Sequence, residues 1–243
     1  GKVFYFSENL NGNYAENPTL NSNPTLLRNT GYNQTDVLQK FFVPLSEKTD
    51  LKVNLQYSTS SDIPRFDRLA ELIDETDAST LKFAEWYYGP QQRLLTSLQA
   101  QLFAPNAFYD KALFIAAYQK IDEERFDRRV GREGRAFQLE DVNVFSITAD
   151  LDKYLTSNER HVFSYGFDWN YNNVQSEAGV RNLLDNTIER SEPTRYPSGG
   201  SDVNIAAAYS SYRWKSRDSV LNLNTGLRYT YTNTYSLFGA DDP

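Results

Sequence analysis

The chain has 243 residues, a formal net charge of −7 and a sequence pI near 4.9, a balance that argues against a basic nucleic-acid surface. It has no cysteine and one histidine, His161, which excludes a disulfide scaffold, thiolate metal sites and a multi-histidine centre built from this chain alone. No run approaches the roughly 20 apolar residues of a membrane helix and no signal peptide is legible, although barrel strands cross a membrane with only about 10 alternating residues each. The mean hydropathy of −0.63 suits a soluble protein and equally a barrel with a polar lumen and long loops. An aromatic fraction of 14% suits interfacial girdles or a large β core. There is no methionine, and the chain opens on GKVFYF and stops at GADDP, which reads as a piece of a larger protein.

Residues 1–34 read as loop, because Asn recurs from Asn9 to Asn33 and Pro18 and Pro24 interrupt any ladder. The bland reading is a solvated surface loop; the sharper one is a ligand-contacting loop using Tyr5, Tyr14 and Tyr32. A first strand is predicted over 36–45, with Val37, Phe41 and Val43 on one face, and the polar turn 46–50 reverses it. The second strand is the clearest: Leu51, Val53, Leu55 and Tyr57 alternate with Lys52, Asn54, Gln56 and Ser58. Side chains on a strand alternate with period 2, so one face is apolar and the other polar. A long charged segment, 61–89, follows, with a helical turn or two possible around Phe66, Leu69 and Ile73.

Strand three is predicted over 92–103, and Pro105 marks the turn after it, where strands avoid proline. Strand four, 111–121, carries Phe114, Ala116 and Tyr118 on one face but Leu113 and Ile115 on the other, leaving its apolar side ambiguous. A second charged excursion is expected over 122–138. Strand five sets Phe145, Ile147, Ala149 and Leu151 against Ser146, Thr148, Asp150 and Asp152, with a turn at 156–159. Strand six sets Phe163, Tyr165, Phe167, Trp169 and Tyr171 against polar neighbours, a row no soluble protein gains from unless a second layer covers it. A third long loop is expected over 174–201. Strand seven, 203–214, and strand eight, 221–231, flank a turn at 216–218.

Short turns and long loops thus alternate strictly, as periplasmic turns and extracellular loops do in outer-membrane barrels. A β-sandwich would mix the lengths and pattern its faces differently. The polar side carries Lys52, Asp150, Asp152, Asp168 and Arg228, too much charge for a packed interior, so the apolar face is expected to point outwards into lipid. The fold class is all-β, an antiparallel transmembrane β-barrel segment of about eight strands.

SSDIPRFDRL (60–69), followed by FAEWYYGPQQRLL (83–95), resembles the barrel domain of TonB-dependent outer-membrane receptors, in particular Bacteroidota members grouped with haem, haemoglobin and siderophore receptors. NTGYNQTDVLQKF (29–41), YQKIDEERFDRR (118–129), TRYPSGGS (194–201) and NTGLRYT (224–230) extend the resemblance over most of the chain. The resemblance implies a plugged barrel of roughly 22 strands in the outer membrane of a Gram-negative bacterium. It further implies import of a scarce nutrient, an iron compound such as haem or a ferric siderophore. Its partners would be outer-membrane lipid, a plug domain, the TonB energy-coupling protein and further outer-membrane or surface-lipoprotein subunits, with no nucleic acid. No plug, coupling motif or aromatic-ended final strand is legible, so residues 1–243 are read as part of the barrel domain, from its middle. Alternatives are a non-transporting outer-membrane barrel and a soluble β-rich glycan-binding module.

No nucleophile, base and orienter can be assembled from these residues, so no enzyme, cofactor or metal is expected. His161 lies just after a short turn and reads as a rim residue. Asp150, Asp152 and Asp168 are too spread for a Ca²⁺ cage and are expected to be hydrated or paired with lumen arginines. The candidate ligand contacts are the loop residues Arg65, Arg68, Trp86, Tyr87, Tyr88, Arg125, Arg128, Arg129, Arg195 and Tyr196. Arginine grips carboxylates in bidentate fashion and the aromatics supply flat contact area. The competing reading is that these arginines pair with Asp62, Asp67, Glu123, Glu124 and Asp127 and stiffen the loops.

Overall fold

The structure, a computed structural model, describes residues 5–7, 18–20, 23, 30–77, 80–189 and 192–239. Within the stretch read as loop, β1 (Tyr5–Ser7) and β2 (Pro18–Leu20) pair antiparallel. Tyr14 and Pro24 lie outside the described residues. The next elements are β3 (Gln34–Ser46), β4 (Thr49–Ser60), β5 (Ile63–Pro64), α1 (Phe66–Leu69), β6 (Phe83–Tyr88) and β7 (Gln92–Leu102). They are followed by β8 (Lys111–Arg129), β9 (Gly134–Tyr154), β10 (His161–Asn182), β11 (Ile188–Glu189), β12 (Ser201–Lys215) and β13 (Asn222–Ser236). The long strands form one open antiparallel sheet in the order β3-β4-β7-β8-β9-β10-β12-β13, each beside its neighbour in sequence.

Direct cross-strand partners share a face, so the register identifies that face without ambiguity. One row reads Phe41, Val53, Leu98, Ala116, Ile147, Trp169, Ala206, Tyr231. The next reads Val43, Leu51, Ala100, Phe114, Ala149, Phe167, Ala208, Tyr229. Phe114 and Ala116 therefore belong to the apolar face, while Leu113 and Ile115 stand with Asp150 and Thr148 on the other. No protein layer covers these rows among the described residues: Ile147 is 48% exposed and Phe167 44%. Behind them, Arg228 pairs with Asp168 at 2.8 Å, and the Tyr209 and Ser164 hydroxyls donate to Asp150 and Asp152. Tyr209 reaches Asp150 because Gly166 lies beneath it; a Cβ there would collide with the Tyr209 ring and the Ala149 carbonyl.

The apolar band has defined edges. At its upper edge the rings of Tyr118, Phe145 and Tyr171 follow one another across β8, β9 and β10, with centroids 4.8 and 6.4 Å apart. The two tyrosine hydroxyls point up into polar surroundings: Tyr118 donates to Asn143 Oδ1 at 2.7 Å and Tyr171 to Asp202 Oδ1 at 2.8 Å. Beyond them the same face carries the Lys120–Asp141 pair at 2.9 Å. At the lower edge Lys153 donates to the Asn106 carbonyl and Tyr165 to the Phe108 carbonyl. His161 sits at that rim, its Nδ1 2.6 Å from the Tyr212 hydroxyl. The interval from Asn143 to Lys153 is about 33 Å of extended strand, or about 25 Å when tilted 35–45°.

One expected loop is largely strand, and another begins as strand. The charged excursion 122–138 is the upper half of a hairpin: β8 continues to Arg129, β9 resumes at Gly134, and the turn between them passes through Gly131 at φ 70°. Likewise β10 runs to Asn182, so the third loop begins later than its polar composition suggests. A ladder is made by backbone groups, and above the apolar band both faces can be wet, so the dyad signal fades while the pairing persists. The aromatic segment also forms a strand: β6 takes over β7's place beside β8, with Gly89 (φ 112°) and Pro90 bending the chain between them. The expected helical turn is present as α1.

Candidate functional site

The extended upper halves of β8, β9 and β10 position the candidate site on the polar face, above the apolar band. Arg125, Trp86 and Tyr88 share that face, because Arg125 pairs with Tyr88 and Asp127 with Trp86. The Trp86 and Tyr88 rings meet edge to face at 5.1 Å. Two guanidinium groups lie against them: Arg65 at 5.0 and 5.4 Å from the two centroids, and Arg125 at 5.8 and 5.3 Å. Arg65 also donates to the Tyr88 hydroxyl at 2.7 Å and to Asp67 in a two-pronged ion pair. Arg125 donates to Gln138 at 3.1 Å, while its Nε is buried with no hydrogen-bond partner. Cation–π contact of this kind holds Arg125 in place without neutralising it, whereas Asp67 neutralises Arg65.

The segment 192–198 folds over this face as a strap. Gln138 donates to the Pro193 carbonyl at 3.1 Å, and Arg195 stands 3.9 Å from both Glu123 and Glu140. Beneath it lies a cavity of about 680 Å³, lined by residues including Glu123, Glu140, Ser176, Glu192 and Thr194. A smaller one of about 210 Å³ adjoins Tyr88, Arg125, Glu140 and Arg195. Glu123, Glu140 and Ser176 are direct cross-strand partners and form one row. Burial lifts the Glu140 carboxyl above its ordinary range, and Glu123 adds to this, against the pull of Arg195 and Arg125.

Of the residues expected to contact a ligand, Arg65, Trp86, Tyr88, Arg125 and Arg195 are brought together here. Arg128 is not: it is buried, with no side-chain exposure, against an equally buried Glu85 at 3.1 Å. Arg135 closes on the same carboxylate at 2.6 Å, so Arg128 ties β6 to the β8–β9 hairpin and is not a loop cation open to a ligand. Tyr87 points to that opposite side, stacked on Phe126 at 5.0 Å, and burial pushes its hydroxyl up to about 12. Arg68 pairs with Glu71 at 3.3 Å, and Arg129 lies at the hairpin tip. Tyr196 is 48% exposed on the strap. Glu140 falls between the expected excursion 122–138 and strand five, and Ser176 within the expected loop 174–201, so neither stands out in the sequence; extending the alternation of Asp150 and Asp152 back along β9 places Glu140 on the polar face.

No protein-family model matches the chain, and no curated protein matches it. Among solved structures it is similar to the ferric citrate transporter FecA in the unliganded form, with a TM-score of 0.53 and 12% identity. The likeness covers 86% of this chain and 30% of that one, so the chain spans under a third of the transporter's length. At this identity the likeness is one of fold, and the open antiparallel sheet is what a segment of a β-barrel transporter's wall would present.

Proposed function

We propose that the chain is wall from an outer-membrane, TonB-dependent receptor that imports a scarce nutrient, an iron compound such as haem or a ferric siderophore. The observation that carries this reading is the two-faced sheet: an uncovered apolar band edged by aromatics and backed by a charged face. In that setting the apolar face meets outer-membrane lipid, the charged face lines a wet lumen, and the strands' upper halves stand in the extracellular medium. A plug domain and the energy-coupling protein then act through other parts of the receptor. Arg125, held against Trp86 and Tyr88, supplies a cationic plane suited to a carboxylate-bearing iron chelate, with Arg65 beside it paired to Asp67. The chain's resemblance to Bacteroidota receptors of haem and siderophores supports the iron assignment.

The test is growth of a deletion strain on haem, haemoglobin, siderophores, cobalamin or glycans as the sole source of the limiting nutrient. The expected result is loss of growth on one iron compound, restored by the complete gene. Growth on every source as well as the parent would remove the support for iron, and an aromatic face found bare in water, with no lipid or detergent belt, would end the membrane reading.

A further inference from the structure

We propose that the cavity under the 192–198 strap is a subsite for a protonated amine on the ligand, an inference that rests on the receptor reading and narrows its substrate class. Glu140 and Ser176 are 5% and 6% exposed, and each has a side-chain oxygen, Glu140 Oε1 and Ser176 Oγ, without a hydrogen-bond partner. These residues face each other across β9 and β10 and both line the cavity. A buried carboxylate oxygen and hydroxyl left unpaired side by side are unusual in a folded chain, where such groups are nearly always satisfied.

The surroundings select the sign of the missing partner. Glu123 stands beside Glu140 in the same row, Glu192 of the strap adds a third carboxylate, and neither lysine nor arginine lines this cavity. An anion entering here would meet carboxylates from two strands and the strap. Arg195 reaches only to 3.9 Å of Glu140 Oε2, too far for a hydrogen bond, and leaves Oε1 open. Among the described residues no group of three acidic or histidine side chains converges on a metal site, and the proposal commits to an organic cation. An ammonium group presents three N–H donors, which Glu140 Oε1, Ser176 Oγ and the Glu123 carboxylate can accept. The arginines against Trp86 and Tyr88 lie at the far side of Glu140, so one ligand can offer an amine to the cavity and an acidic group to the arginines.

The experiment uses the complete receptor purified in detergent, with 1,4-diaminobutane as probe and 1,4-butanediol and succinate as controls, followed by titration calorimetry. The diamine is expected to bind saturably, and both controls at least tenfold more weakly. Glu140→Gln should weaken the diamine at least tenfold and Ser176→Ala several-fold. Equal binding of the diol, or diamine binding unchanged in both variants, overturns the proposal. Should Glu140→Gln fail to fold, Ser176→Ala and the two controls still decide it. Growth of cells carrying Glu140→Gln on the iron source separates the two readings. No diamine binding alongside intact iron-dependent growth sinks the amine subsite alone. Diamine binding by a receptor whose deletion changes no growth phenotype sinks the importer alone.

Discussion

The lower and upper halves of β8, β9 and β10 are built from the same continuous strands yet use their two faces in opposite ways. Below Asn143 the face carrying Phe145, Ile147 and Ala149 is apolar and uncovered, and the face behind it is charged. Above Asn143 the outward face becomes polar, with Lys120 against Asp141, and burial moves to two other places. One is the cavity under the strap, where Glu140 and Ser176 are nearly inaccessible. The other is the ion cluster of Glu85, Arg128 and Arg135. The pleat is the same in both halves; what differs is the medium each face meets. An uncovered apolar face has its residues chosen by the medium it meets, whereas the half above the band creates its own dry regions with straps, side chains and ion pairs.

The largest effect expected from breaking this contrast is at Glu85. Glu85→Ala leaves two guanidinium groups without their carboxylate, and removing one partner from a buried ion cluster costs about 3–5 kcal/mol. Hydrogen exchange should rise steeply across 83–88 and 125–136 while the band around Ile147 stays protected. Next, Ile147→Arg should cost about 2–4 kcal/mol of insertion stability if the band meets hydrocarbon, seen as loss of the folded form by heat-modifiable gel mobility. The matched change above the band, Gln175→Arg, should stay within about 0.5 kcal/mol. Equal effects at the two heights would erase the distinction between the halves.

A pH titration sharpens the contrast on the polar face. The Glu140 carboxyl, facing Glu123 and Arg125 from β8, Ser176 from β10 and Arg195 from the strap, titrates above its ordinary value of 4.5 because it is buried. The folded state then holds a proton that the opened state releases. Strap packing is favoured in full below 4.5 and weakens as pH rises through the folded value. Proteolysis of the strap should increase over that window, and Glu140→Gln should flatten the profile. The smallest loss from removing a single contact is at the band's edge. Tyr118→Phe removes one hydrogen bond to Asn143 at 2.7 Å and should cost about 1 kcal/mol, with the ring's place in the girdle kept.

The eight long strands could be read from period-2 alternation because the two faces of the sheet are opposite in character, one apolar and one charged. That signal was strong for Leu51 to Tyr57 and for Phe163 to Tyr171, and both lie in the sheet where the pattern put them. It disappeared at Asp122 to Gln138, where neither face has a fixed solvent, so paired strands looked like a charged loop. Arg128 shows the same limit at a single residue: one of several arginines in a row, it is the one carried onto Glu85 by its register position. Residue type and alternation alone determined where the long strands lie, which face is greasy on all of them but β8, and that arginine and aromatic side chains cluster near the long connections. Only the tertiary structure decided which of those arginines remain open, and that Glu140 and Ser176 meet under a strap from far along the chain. Alternation is a property of neighbours in sequence, whereas burial above the membrane depends on partners that the chain brings together from tens of residues away.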